Sequence, residues 1–281
     1  MTHPAYETVR TVLPQASVLL QANPGPMTLE GTNTWLLRAP GSDEVIVVDP
    51  GQSGSGGTPA SEGMAGGGDH LDLLIQAAPK IALVLVTHGH FDHSQSAADL
   101  HARTGAVVRA VDPEHCHGGA ALTEGTVFEA ANLRVSVLAT PGHTSDSASF
   151  VVASDDGQPL AVLTGDTILG RGTTVVAHPD GNLRDYLDSL HRLEELGELT
   201  VLPGHGPELP HISEAAAFYL AHREQRLAQV RDAVATLGTD ATARQIVELV
   251  YADVDENVWW AAELSVQAQL KYLTTEHNHD R

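Results

Sequence analysis

Short runs of β-branched and apolar residues, each the length of one strand, recur at 34–37, 45–48, 81–86, 107–110, 133–138, 148–152, 160–164 and 200–202. Between some of them, apolar positions three and four residues apart predict helices over 71–78, 94–103 and 183–196. The two periodicities together describe a mixed α/β body. After residue 212 the strand pattern stops. Residues 213–237 read as one long helix, and Thr242 with Gln245 predicts a capping box that opens a second. Ala262, Val266, Leu270 and Leu273 give a third helix its apolar face. The pattern therefore predicts an α/β domain over 1–212 and a small helical appendage over 213–281.

Of the 281 residues, 42% are hydrophobic but only 4% aromatic, so the core must be mostly Ala, Val and Leu. Fifteen Lys plus Arg stand against 36 Asp plus Glu, a formal net charge of -21. Nonspecific affinity for nucleic acid or an anionic membrane surface needs the opposite balance. The segment 215–281 nets -4 and the remainder -17. Arg223, Arg226 and Arg231 on the long helix read as a solvated face rather than a basic stripe. No apolar run approaches the roughly 18 residues of a membrane span, and the start lacks a cationic stretch followed by an apolar one. A cytoplasmic protein without membrane contact is expected. Cys116 is the one cysteine, which excludes an intramolecular disulfide and suits a reducing compartment. Residues 51–68 contain eight glycines and read as a flexible surface loop; without a GKS or GKT ending they do not form a phosphate-binding loop.

Sixteen histidines are many for this length. Residues 87–93 read THGHFDH, directly after the apolar run 81–86, and place three imidazoles and a carboxylate within six residues. Imidazole and carboxylate are ligands of divalent zinc, and His88 with His90 beside Asp92 with His93 suffices for two neighbouring ions. Three further strand-like runs end in small-residue turns that each present one more ligand: His143 in TPGHT, Asp166 in TGDT and His205 in LPGHG. If these strands share a sheet, the ligands converge at one edge. Other candidates carry less. Cys116 in EHCHGG reads as a surface turn, His277 and His279 as a solvated tail, and Trp259 and Trp260 as helix residues packed on the body of the domain rather than base-stacking platforms.

The order THGHFDH, TPGHT, TGDTILG, LPGHG resembles the metallo-β-lactamase superfamily. The stretch NPGPMTLEGTNTWLL at 23–37, GDTILGRGTTVV at 165–176, YLDSL at 186–190 and YLAHREQR at 219–226 resemble its beta-lactamase-like protein 2 branch. That resemblance implies an αβ/βα sandwich followed by a winged-helix-like module. The glycine-rich stretch at 51–68 looks inserted, and Ser94-Gln95-Ser96 stands where many relatives carry a Gly pair.

Carried onto this chain, the resemblance implies His88, His90 and His143 on one metal, Asp92, His93 and His205 on a second, and Asp166 bridging both. Two Zn2+ are implied, with Mn2+ or iron as alternatives; retention of His90 and of a complete second set separates the chain from di-iron and mono-iron relatives. Two such ions would acidify a shared water from a pKa near 16 toward roughly 7, with Asp92 orienting the nucleophile and accepting its proton. The branch points first to phosphodiester hydrolysis of single-stranded RNA. A thioester or other acyl substrate is the alternative, β-lactam hydrolysis ranks lower, and a metal-holding interaction protein is the non-enzymatic reading. The charge favours a small or locally engaged electrophile, and a homodimer is compatible with the appendage.

Overall fold

A computed structural model describes residues 5–53, 69–252 and 254–279. Most of the predicted glycine-rich loop, and the side chains of the His277 and His279 tail, lie outside the described residues. The chain divides into two compact units: one comprises 1–139, 146–172 and 199–210, the other 140–145, 173–198 and 211–281.

Among the described residues, the first unit holds eleven strands in two sheets. One sheet runs in order β1 (Val9–Leu13), β2 (Ala16–Leu20), β3 (Asn33–Leu37), β4 (Val45–Val48), β5 (Ile81–Leu85) and β6 (Val108–Arg109). The other runs in order β11 (Thr200–Pro203), β10 (Pro159–Gly165), β9 (Ala148–Ser154), β8 (Leu133–Ala139) and β7 (Val127–Ala130). Alternation along the strands explains the layering. Trp35, Leu37, Ile46, Val48, Leu83 and Leu85 form one core cluster with Val135, Val137, Phe150, Val152, Leu163 and Leu202 of the other sheet. The intervening residues Leu36, Val45, Val47 and Val84 point the opposite way. They pack with Leu71 and Leu74 of α1 (His70–Ala77) and with Ala97 and Leu100 of α3 (Ala97–Thr104). Central strands β3, β4 and β5 are thus buried on both faces, which is why their sequences are nearly continuous apolar runs.

The predicted strands are all present, whereas β1, β2 and β7 lay outside the strand-like runs. The segment 94–103 is not one helix: α2 (Phe91–Ser94) ends before α3 begins. The strands that present His143, Asp166 and His205 do share a sheet, as expected, but THGHFDH follows β5 of the other sheet. The donors therefore come from facing sheets rather than one edge.

The second unit is built from the turn 140–145 and helices α4 (Leu183–Glu194), α5 (Ile212–Leu237), α6 (Ala243–Val250) and α7 (Trp259–His279). The capping box of Thr242 and Gln245 opens α6. Two expectations are corrected here. Arg223 is 6% exposed, donates to the Thr174 carbonyl and lies 5.1 Å from the Tyr186 ring centroid. Arg226 donates to the Val250 carbonyl and lies 4.6 Å from the Tyr251 ring. The guanidiniums of both arginines find carbonyls and aromatic faces, so neither fits the solvated-face reading. Trp259 is packed, with its indole N–H donated to the Val254 carbonyl, but Trp260 is 53% exposed. No helix among the described residues is long and apolar enough to cross a membrane.

One core histidine has a testable consequence. The Thr34 hydroxyl donates to the Asp49 carbonyl at 2.7 Å, so it must accept from His70 Nε2 at 2.8 Å. That leaves His70 Nδ1 buried, unprotonated and without a hydrogen-bond partner among the described residues. Burial, opposed in part by Asp69, pushes the His70 pKa down to about 4. Its stabilising contribution is complete above about pH 6.5 and is lost as pH falls toward 4. Urea unfolding at pH 7 and pH 4.5 should show His70→Gln losing less stability on acidification than wild type, by roughly 2–3 kcal/mol; equal losses would contradict this assignment.

Candidate metal centre

His88, His90, Asp92 and His93 sit where β5 ends and α2 begins. Asp49, at the end of β4, sets their geometry. Its Oδ1 accepts from the Thr87 backbone N–H at 2.8 Å, and its Oδ2 accepts from the Thr87 hydroxyl at 2.8 Å. The same Oδ2 lies 2.8 Å from His93 Nδ1. Thr87 Oγ1 in turn lies 3.0 Å from His88 Nδ1. His88 and His93 thus each have Nδ1 fixed by a protein oxygen and turn Nε2 toward other donor histidines, the arrangement that orients metal-ligating histidines.

From the facing sheet, β10 ends at Gly165-Asp166 and β11 at Pro203-Gly204-His205. The start of β3 clamps the second of these ends. Asn33 donates its side-chain amide to the Pro203 carbonyl at 3.0 Å and the Gly206 carbonyl at 2.8 Å, and the Trp35 indole donates to Pro203 at 2.9 Å. His205 Nδ1 is held 3.0 Å from the Gly31 carbonyl. Gly204 is required by crowding: a Cβ there would lie 2.6 Å from Asp166 Oδ1 and 2.7 Å from His93 Cε1. Thr32 donates its hydroxyl to Asp92 Oδ2 at 2.8 Å. Asp49, Thr32 and Asn33 are site-building residues that the sequence reading missed.

Two donor groups result in the first unit. His88, His90 and Asp166 offer ligand atoms all within 4.8 Å of one another, and so do Asp92, His93 and His205. His88 Nε2 lies 2.9 Å from His90 Nδ1. His205 Nε2 lies 3.2 Å from Asp92 Oδ2 and 3.3 Å from Asp166 Oδ2, and His93 Nε2 lies 3.5 Å from Asp166 Oδ1. Asp166 therefore belongs to the first group and touches the second. His143, the remaining candidate, belongs to the second unit. There the turn is closed by Gly142 N–H on the Thr144 carbonyl, and His143 Nδ1 sits 2.8 Å from the Val175 carbonyl and 3.1 Å from Thr174 Oγ1. With Nδ1 so held, Nε2 is the nitrogen that would serve a metal.

Electrostatics favour a cation. Burial disfavours a charged His93, yet Asp92, Asp166 and Asp49 outweigh it and raise the pKa to about 9. His205 is likewise raised, against its burial, by Asp166 and Asp92. Burial also opposes ionisation of Asp92, but His93 and His205 hold its carboxyl well below the usual range. Three buried or half-buried carboxylates thus attract positive charge to a spot ringed by imidazole nitrogens. Nitrogen and oxygen donors in this number and spacing fit divalent ions, which would replace those protons.

Residues 27–205 match the model of the metallo-beta-lactamase superfamily, and residues 242–277 that of the beta-lactamase associated winged helix domain. The chain is 31% identical over 276 residues to a beta-lactamase-like protein 2 homolog of Drosophila melanogaster, covering 92% of this chain and 87% of the relative. It is 27% identical to an atrochrysone carboxyl ACP thioesterase of Aspergillus fumigatus, covering 91% and 79%. Its fold is similar to those of a metallo-beta-lactamase family protein from Thermus thermophilus (TM-score 0.73, 23% identity, 95% of both chains) and a beta-lactamase domain protein from Burkholderia ambifaria (TM-score 0.75, 23% identity, 98% and 91%).

Asp49 is the residue on which to test this geometry. Asp49→Asn replaces an acceptor-only group with one that must turn its NH2 toward a donor, and His93 loses its fixed tautomer. Calorimetric titration with a divalent ion should show affinity reduced about 10- to 100-fold; wild-type affinity in a folded variant would contradict the role.

Proposed function

Because the chain belongs to the metallo-β-lactamase superfamily of hydrolases, we propose that it is a two-metal hydrolase whose first choice of substrate is an acyl thioester. The observation that carries the two-metal reading is Asp166, a member of one donor group in contact with the histidines of the other. His88, His90 and His143 are assigned to one ion, Asp92, His93 and His205 to the second, and Asp166 to both. Zinc is the proposed ion, since imidazole predominates among the donors; manganese or iron would use the same residues. When bound, the ions would supply an acidified water and polarise the electrophile.

The chain's own residues then have definite tasks. Thr32 holds the Asp92 carboxylate in one orientation through its 2.8 Å hydrogen bond, so Asp92 can align the attacking water and take its proton. Asp49 and Gly31 keep His93 and His205 pointing inward, which removes reorganisation from the reacting step. Two exposed apolar side chains neighbour the site residues in sequence: Phe91, between His90 and Asp92, is 60% exposed, and Met27, on the segment leading to Gly31, is 39% exposed. Apolar side chains beside the donors suit a carbon chain better than a phosphate backbone, and so does a net charge of -21. The similarity to an ACP thioesterase supports the same class.

A second reading, cleavage of single-stranded RNA, is supported by the motif resemblance and by the similarity to beta-lactamase-like protein 2 homologs. A parallel assay of zinc-loaded protein on an acyl-pantetheine thioester, single-stranded RNA, a phosphodiester dye ester and a β-lactam separates these. The thioester should be hydrolysed fastest, and Asp166→Asn should lower that rate at least about 100-fold, as loss of a metal-bridging carboxylate would. Thioester turnover that survives the substitution contradicts the proposal. RNA cleavage abolished by it, without thioester turnover, selects the second reading, and no turnover of any substrate returns weight to a metal-holding interaction role.

A further inference from the structure

We propose that a cavity within the helical unit binds the phosphate end of a phosphopantetheine arm, the thiol leaving group of the thioester reading on which this inference rests. The cavity has a volume of about 370 Å3 and is lined entirely by the second unit. That size lies in the range of small-molecule sites. Gly142 and Ser145 of the turn form one wall, Asp180 and the first turn of α4 another, and Lys271 and Tyr272 of α7 a third.

The cavity brings together two cations that have no ion pair among the described residues. Arg10, Lys80, Arg103, Arg171 and Arg244 are each paired with a carboxylate. Arg109, Arg223 and Arg226 are turned onto backbone carbonyls and aromatic rings. Arg184 and Lys271, like Arg38 and Arg134, have no ion pair among the described residues, and of these four only Arg184 and Lys271 line the cavity. Arg184 lies 5.2 Å from the Tyr272 ring centroid, which steadies the guanidinium without neutralising it. In a chain with 36 acidic and 15 basic residues, two cations without ion pairs, from different helices on one cavity, suit a bound anion.

The acidic residues in the wall narrow the choice. Asp180 accepts from the Ser145 hydroxyl at 2.6 Å and its backbone N–H at 3.2 Å, so its charge is committed to the turn. Asp185 also lines the cavity and offers an acceptor for N–H or O–H donors. A polynucleotide would bring several phosphates to a wall with as many carboxylates as cations. A pantetheine arm brings one phosphate for Arg184 and Lys271, and amide and hydroxyl donors for Asp185. Gly142 and Ser145 lie within two residues of His143, a proposed metal ligand, in the same turn. In the reaction served, water adds to the acyl carbon, the C–S bond breaks, and the thiol leaves on the arm with a proton while the acid is released.

The test uses the full zinc-loaded chain. kcat/KM is compared for hexanoyl-4′-phosphopantetheine and hexanoyl-pantetheine, and binding of 4′-phosphopantetheine is measured by calorimetry. Wild type should prefer the phosphorylated substrate about tenfold, as one charge-assisted contact confers. In the doubly substituted Arg184→Gln, Lys271→Gln protein the ratio should fall to about one and binding should be lost, while Lys271→Arg should retain the preference. Thioesters of coenzyme A and of an acyl carrier protein carry the same phosphate, and comparing them identifies its source. A wild-type ratio near one, or a ratio unchanged in the double variant, overturns the subsite and leaves the thioesterase reading standing. Absence of thioester turnover with phosphopantetheine binding that depends on Arg184 and Lys271 overturns the thioesterase reading and supports the subsite. An oligoribonucleotide that binds through these two residues where phosphopantetheine does not would overturn the subsite in favour of RNA.

Discussion

The buried carboxylate of Asp49 is the contact on which the candidate centre depends. At 1% exposure it would be costly if left unpaired, and it accepts from two Thr87 donors and one His93 nitrogen instead. Those three contacts fix the end of β5, the tautomer of His93 and, through Thr87 Oγ1, the ring of His88. One member of each donor group is therefore set by a single residue that belongs to neither.

The stacked sheets perform the remaining alignment. A mostly aliphatic core, with Trp35 and Phe150 in it, holds the two sheets face to face, so that the end of β5 from one meets the ends of β10 and β11 from the other. The Ala148 N–H on the Thr87 carbonyl and the Asn33 N–H on the Gly204 carbonyl, both at 2.8 Å, stitch these ends together. Rigid strands with short glycine-containing turns keep the donors in place better than long loops would. Within the helical unit, the Val175 carbonyl and Thr174 hydroxyl hold the His143 ring through Nδ1.

Much of this was legible in the sequence because the ligands occupy dense local motifs at the ends of strong apolar runs. THGHFDH, TGDT and LPGHG each carry strand, turn and donor within a few residues, and the capping box of Thr242 and Gln245 is equally local. What escaped depended on long-range pairing. Asp49 looks like an ordinary turn acid before Pro50 and Gly51 until Thr87, 38 residues away, is seen to donate to it. The edge strands β1 and β7 alternate with charged or polar residues and are largely exposed, so their apolar signal is weak. Arg223 and Arg226 have the spacing of a solvated face, and only Thr174, Tyr186, Val250 and Tyr251 reveal where their guanidiniums go.

The claim that these residues form a two-metal centre is tested most directly by anomalous diffraction at the zinc edge from crystals of the zinc-loaded protein. Two anomalous peaks are predicted, one against His88, His90 and His143 and one against Asp92, His93 and His205, with Asp166 within coordinating distance of both. A single peak, or zinc bound away from these seven side chains, would contradict the account.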